Sequence, residues 1–240
     1  MIEFVEVEIG KGSVAPCVLC TLAAERSFVS SDVVTRAITH LADSWKHGPG
    51  PNVRFVGVEP FTHPELPALV LAAVEAHCER ICLRTDGGAL SVPGNADGVI
   101  AAGVRHLQVV LLGGDAATHD RLTGRPGLFD AALEGMAAFS QAARKAHVRT
   151  VVTGFVPVCS HTMSSLPAAV AALAAAGAVA VELAVTSSAV SAVGLDGWLA
   201  AAIDTGMVNG TWVSVSGLPA EKIPRSVIHA LAPARTAVHS

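Results

Sequence analysis

The stretch Val53-Arg54-Phe55-Val56-Gly57-Val58-Glu59-Pro60-Phe61-Thr62-His63-Pro64-Glu65-Leu66, continued to Arg80-Ile81-Cys82-Leu83-Arg84-Thr85-Asp86-Gly87, decides the fold. Val53–Val58 and Arg80–Thr85 are short β-rich runs. Between them Pro64–His77 has helix length, with proline at the first position, where a missing N–H is tolerated. A strand, a helix and a strand in this order make one β–α–β unit: two parallel strands joined by a right-handed crossover.

The same alternation continues in both directions. Upstream, Glu3–Ile9 reads as a strand and Ser31–Trp45 as a helix capped by Ser30 or Ser31. Downstream come a short helix Ala96–Ala102 stopped by Gly103, a strand His106–Leu112, the long helix Phe129–Ala146 and a strand Val148–Val156. Then follow a helix Ser165–Ala176 stopped by Gly177, a strand Val179–Val185, a helix Leu195–Thr205 and a strand Trp212–Val215, with a last helix near Arg225–Leu231. Six or seven β–α units without a reversal predict a parallel sheet, either open and doubly wound or curled into a barrel. In both architectures ligands sit at the carboxyl ends of the strands. No linker rich in Pro, Gly or Ser divides the chain, so a single domain over residues 1–240 is expected, with a core at about 3–185 and an extension over 186–240.

Composition agrees with that architecture and narrows the function. Hydrophobic residues make up 51% of the 240, charged residues 15% and aromatics 4%, with no tyrosine, so Ala, Val and Leu must build the core. There are 16 Lys and Arg against 20 acids, a net charge of −4, and no basic cluster, which argues against a nucleic-acid groove. A mean hydropathy of +0.52 raises the question of a membrane span. The longest apolar stretch, Leu166 to Val185, is broken by Pro167, Gly177 and Glu182, short of the roughly 18 uninterrupted residues a span requires. The amino terminus interleaves Phe4, Val5, Val7 and Ile9 with Glu3, Glu6 and Glu8, so no export signal and no membrane are expected. Five cysteines without framework spacing suit a reducing cytoplasm.

The strand ends hold the candidate chemistry. After the first strand comes Gly10-Lys11-Gly12-Ser13-Val14-Ala15-Pro16-Cys17-Val18-Leu19-Cys20; two cysteines at this spacing present both thiolates to one metal, or are small buried hydrophobes. After the second come Gly57, Glu59 and Pro60; after the third, Thr85-Asp86-Gly87; after the fourth, Gly113-Gly114-Asp115 leading to His119-Asp120-Arg121-Leu122-Thr123-Gly124-Arg125-Pro126-Gly127. His119, Asp120 and Arg121 read as caps of the following helix and mutual partners, with catalysis as the alternative, and His63 as a loop-to-helix joint. Arg84 and Arg149 either meet a carboxylate of a ligand or flank the rim.

This ordered set resembles the radical S-adenosylmethionine (SAM) superfamily, from about Glu3 to Val185 and more weakly to Pro219. The segment Asp115–Phe129 most resembles members that modify peptides and build natural products. The resemblance implies a partial (β/α)6 barrel of mostly parallel strands, SAM as cofactor, and a first loop Cys-x3-Cys-x2-Cys holding a [4Fe–4S] cluster from which electron transfer cleaves SAM to a 5′-deoxyadenosyl radical. It implies that Gly57, Glu59, Pro60, Thr85, Asp86 and Gly113 line the cofactor site, with Glu59 beside the SAM amino group. It assigns Cys17 and Cys20 to the cluster and puts Ser13 where the first cysteine belongs. A serine hydroxyl is a hard, protonated and poor partner for iron in a sulfide cluster, so two thiolates leave a cluster labile or absent unless Cys159 or His161 replaces the lost ligand. Val58 also replaces a glycine of the family's Gly-Gly-Glu-Pro, and Asp86 an asparagine.

Three readings follow. One is a SAM-binding tailoring enzyme with a degenerate cluster site and non-radical chemistry on a small-molecule or peptide substrate. The second is a radical SAM enzyme using Cys17, Cys20 and an unusual third ligand. The third is an inactive barrel kept as a protein partner, scaffold or homo-oligomer, which Trp198 and Trp212 would suit as covered surface.

Overall fold

The structure is a computed structural model that describes residues 3–12 and 26–218. Ser13, Cys17, Cys20, Pro219 and the expected helix at Arg225–Leu231 lie outside the described residues. The strands are β1 (Val5–Glu8), β2 (Gly10–Lys11), β3 (Ser27–Phe28), β4 (Asn52–Val56), β5 (Arg80–Thr85), β6 (His106–Val110), β7 (Val151–Val158), β8 (Ala180–Val185) and β9 (Trp212–Ser216). The α-helices are α1 (Ser31–Ser44), α2 (Leu66–Glu75), α3 (Asn95–Ala102), α4 (Ala116–Thr123), α5 (Leu128–Lys145), α6 (Leu166–Ala175) and α7 (Leu195–Val208).

Seven strands form one sheet in the order β1-β4-β5-β6-β7-β8-β9. Every pairing is parallel, from Val5 opposite Val53 to Ala184 opposite Ser216. The sheet curls into a half-barrel, the partial barrel the resemblance implied, with one strand more than six. The added strand, β9, and its helix α7 come from the extension beyond Val185, so the sheet does not stop there. Two-residue β2 and β3 pair antiparallel, Gly10 with Phe28 and Lys11 with Ser27, and close the stem of the cysteine-bearing loop.

Strand alternation gives the sheet two different faces. Val53 and Phe55, Ile81 and Leu83, Leu107 and Val109, Val152 and Val156, and Val181 and Leu183 point outward and join one buried cluster with Leu69, Ile100, Phe139, Leu173 and Ile203 from the helices. At roughly 25 cal/mol per Å² of apolar surface removed from water, this layer is the main stabilising contact. The opposite phase, with Arg54, Arg84, Gln108 and Glu182, faces the concave side.

Three sequence expectations shift. Helix α2 begins at Leu66 rather than Pro64, so the proline of its first turn is Pro67. The fourth loop contains helix α4, which buries only His119 and Leu122 and so lacks the apolar period that would announce it; Asp115 starts it by accepting from Thr118 N at 2.8 Å. Strand β7 begins at Val151 rather than Val148, because His147 adopts φ 54° and Val148 N still closes α5 by donating to Ala143 O at 3.0 Å. No helix among the described residues is long and apolar enough to cross a membrane.

Helix α5 approaches the third strand end through Gly135. A Cβ there would lie 2.2 Å from the carbonyl oxygen of Gly87, a backbone atom that cannot swing aside. Gly98, inside α3, has nothing within 4 Å of that position. Gly135→Ala is therefore expected to destabilise by about 1–3 kcal/mol, and Gly98→Ala to stabilise by about 0.5–1 kcal/mol. Urea unfolding of the two variants checks the pair, and equal effects of the same sign would contradict the packing.

Candidate active site

The carboxyl ends of β4 and β5 are joined by one side chain. Glu59 caps the short 3-10 turn Pro60–Thr62, accepting from Phe61 N at 3.3 Å. The same oxygen accepts from the Thr85 hydroxyl at 2.7 Å, and the other accepts from Asp86 N at 2.7 Å. Of the residues singled out in the sequence, Glu59, Pro60, Thr85 and Asp86 thus meet at one place. Pro60 and Thr85 are buried, and Thr85 also accepts from Gly87 N at 3.0 Å.

The Glu59 residue keeps some exposure, while its carboxyl end lies among protein atoms. Burial, and secondarily the charge of Asp86, push it up to about 8 despite the donors from Asp86, Thr85 and Phe61. Among the described residues no cation lies within ion-pair distance of it. Asp86 accepts from Gly88 N at 2.9 Å and pairs with the Arg125 guanidinium.

The other named positions serve close packing. Gly57 has φ 101°, and a Cβ on it would lie 2.2 Å from the Gly10 carbonyl oxygen, so it seats the stem of the cysteine loop. Val58 turns its side chain into the core. A Cβ on Gly113 would lie 2.8 Å from His119 N and from Thr118, so this glycine admits the start of α4. His119 accepts from Leu112 N at Nδ1, 3.0 Å, which puts its proton on Nε2; burial lowers its pKa. Asp120 accepts from Gly127 N and, at 2.9 Å, from Phe129 N, capping α5 as the sequence suggested. His63 donates from Nε2 to Val29 O at 3.0 Å and accepts from Glu65 N at 3.1 Å, tying the loop stem to the β4 side.

Cys159 is buried in the turn after β7 and donates its N–H to the Thr162 hydroxyl at 2.9 Å; His161 is exposed. Among the described residues no three His, Cys, Asp or Glu side chains converge as metal ligands.

A polar ladder across the concave face was not legible in the sequence. Arg84 donates from Nη2 to Glu6 at 2.6 Å and from Nε to Gln108 at 2.7 Å. Gln108 donates to Glu182 at 3.3 Å, and Ser216 donates to the other Glu182 oxygen at 2.9 Å. Arg54 donates to the Glu6 oxygen that Arg84 uses, at 3.3 Å. The Arg84 guanidinium carbon stands 4.2 Å from the centre of the Phe155 ring. The available signal was the strand period of two, which puts Arg54, Arg84, Gln108 and Glu182 on the phase opposite the apolar residues.

Residues 7–163 match the family described as the radical SAM superfamily. An AdoMet-dependent heme synthase of Methanosarcina barkeri is 30% identical over 146 residues, 61% of this chain and 41% of the relative. The protein of the same description from Nitratidesulfovibrio vulgaris is 25% identical over 146 residues, 61% of this chain and 39% of the relative. The chain thus spans about two-fifths of the length of these curated relatives. Among solved structures, Streptococcus suis SuiB bound to precursor peptide SuiA superposes with a TM-score of 0.65 at 13% identity, covering 98% of this chain and 51% of that one. Native anSMEcpe with bound AdoMet and Cp18Cys peptide superposes with a TM-score of 0.62 at 12% identity, covering 90% and 63%. At such identities these two likenesses concern the fold alone.

The Glu59 carboxyl titrates at about 8 when folded and near 4.5 when free, so the folded state holds its proton more tightly. Its contribution to stability is largest below about pH 4.5 and is lost as pH rises through about 8. Glu59→Gln is expected to flatten the pH dependence of stability across that window. At the acid end its effect should be small, because a protonated carboxyl and an amide each offer one carbonyl oxygen that can accept from Asp86 N. Urea unfolding at several pH values checks both, and an unchanged slope would refute the assignment.

Proposed function

The chain belongs to the radical SAM superfamily, and on that footing we propose that it binds SAM at the rim formed by Glu59, Thr85 and Asp86 and serves as a tailoring enzyme of peptide or natural-product metabolism. The observation that carries this is the Glu59 carboxyl, buried and with no cation among the described residues within ion-pair distance, at the carboxyl edge of the sheet. An ammonium supplies the countercharge that the site lacks. The SAM amino group fits that need, and its arrival draws Glu59 toward the ionised form. Thr85 and the Asp86 amide hold the carboxyl in place, and Arg125 neutralises Asp86 so that the rim does not carry two unmatched acids. Support for the substrate class is the likeness around Asp115–Phe129 and the presence of peptide-bound proteins among the structural neighbours.

Cys17 and Cys20 are proposed as thiolate ligands of an iron–sulfur site that is one ligand short, Ser13 standing where the first of the three cysteines belongs. A complete [4Fe–4S] cluster supplies the electron for reductive SAM cleavage. With two thiolates, the favoured activity is SAM chemistry without that electron, such as a polar displacement or methyl transfer. Cys159 is a weak substitute ligand, because it is buried and lies within 3.7 Å of the Thr162 hydroxyl in its own turn.

Two measurements test this. Calorimetry should detect SAM binding by the native chain and a loss of at least about tenfold in affinity for Glu59→Gln, as expected when a charged partner is removed; no binding by the native chain would end the proposal. After anaerobic reconstitution, Ser13→Cys should hold about four irons with matching sulfide, and the native chain clearly fewer. Equal loading of both would instead establish a substitute ligand and make radical chemistry the working model.

A further inference from the structure

The polar ladder on the concave face is unequal in charge from end to end. On the β4–β5 side two guanidinium groups, Arg54 and Arg84, share a single Glu6 carboxylate oxygen, which leaves one positive charge in surplus. Arg54 Nε is buried without a hydrogen-bond partner, and Arg84 Nη1 donates to no described residue. His106 adds no cation there, since burial, followed by Arg54 and Arg80, pushes it down to about 4. On the β8–β9 side the ladder ends in Glu182, whose donors among the described residues are both neutral, the Gln108 amide and the Ser216 hydroxyl. No described cation lies within ion-pair distance of it.

Gln108 lies between the two ends and is 2% exposed. Its carbonyl oxygen faces Arg84 and its NH2 faces Glu182, so the amide dipole is aligned with the field of the two ends. A face with a positive surplus at one end and a negative one at the other is complementary to a molecule carrying both charges. Resting on the proposal that the chain is a tailoring enzyme of peptide or natural-product metabolism, we infer that the concave face binds a zwitterion, a short peptide or amino acid, with its carboxylate toward Arg84 and Arg54 and its ammonium toward Glu182. Glu6, whose side chain is 47% exposed, is the movable partner that a substrate carboxylate displaces from Arg84. Phe155 holds the Arg84 guanidinium from one side, which keeps it aimed at the groove when Glu6 leaves.

The test uses the full chain and trialanine in four forms: free, N-acetylated, C-amidated and blocked at both ends. Binding is followed by calorimetry, with SAM titrated in parallel. Free trialanine is expected to bind, and blocking either end to weaken it at least about tenfold. Glu182→Gln should abolish only the penalty for N-acetylation, and Arg84→Gln only that for C-amidation. Glu182→Gln leaves Glu6, Arg54 and Arg84 untouched and so still tests the ammonium end if Arg84→Gln fails to fold; its single amide oxygen accepts from Ser216 or from Gln108, not from both. Binding of 6-aminohexanoate as well as trialanine supports recognition of the two charges themselves; trialanine alone supports a peptide. Equal binding of all four forms, binding of none, or displacement of trialanine by SAM would overturn the inference. Loss of SAM binding with the trialanine pattern intact would overturn the SAM proposal and leave this one standing.

Discussion

The carboxyl of Glu59 joins the loops that follow two neighbouring parallel strands, β4 and β5. Parallel neighbours are connected by long crossovers, so their carboxyl ends lead into separate loops. By accepting from Thr85 and the Asp86 amide, Glu59 makes those loops one surface. The connection continues: Asp86 takes Arg125, and Asp120, five residues earlier in the chain, caps α5. Helix α5 then returns to the third strand end by the close approach of Gly135 to the Gly87 carbonyl. The rim and the longest helix therefore brace each other.

The same strand alternation that builds this rim also divides the sheet into a dry and a polar face. The outward phase is apolar and sealed by helices, while the inward phase carries arginine, glutamine and glutamate in hydrogen-bond contact. Charged groups at low dielectric are stable only when each is matched or hydrogen-bonded. Here the bonds are largely made and the charges incompletely matched, which separates this face from an inert barrel filling of aliphatic side chains. Rim and ladder meet at adjacent residues of β5: Thr85 serves Glu59, and Arg84 serves the interior.

Much of the fold was legible because it rests on local patterns. Gly57, Glu59, Pro60, Thr85 and Asp86 stood out because strand ends followed by Gly, Pro and acids are easily recognised. That Glu59 and Thr85 touch was not legible, nor that Gly57 and Gly113 serve the loop stem and α4 through close contacts within the protein. Helix α4 escaped notice for a physical reason: it buries too few residues to show a period and is specified mainly by its Asp115 cap.

The sequence by itself determined the succession of β–α units, hence a parallel sheet with right-handed crossovers, the ordered strand-end motifs, and the serine at position 13. Those properties depend on residue type and spacing within short windows. Only the tertiary structure decided which polar strand residues meet. Arg84 reaches Glu6 across 78 residues, and Gln108 reaches Glu182 across 74. Such contacts depend on strand order, register and the curl of the sheet, which bring distant segments within a few ångströms and leave no trace in the spacing of the residues themselves.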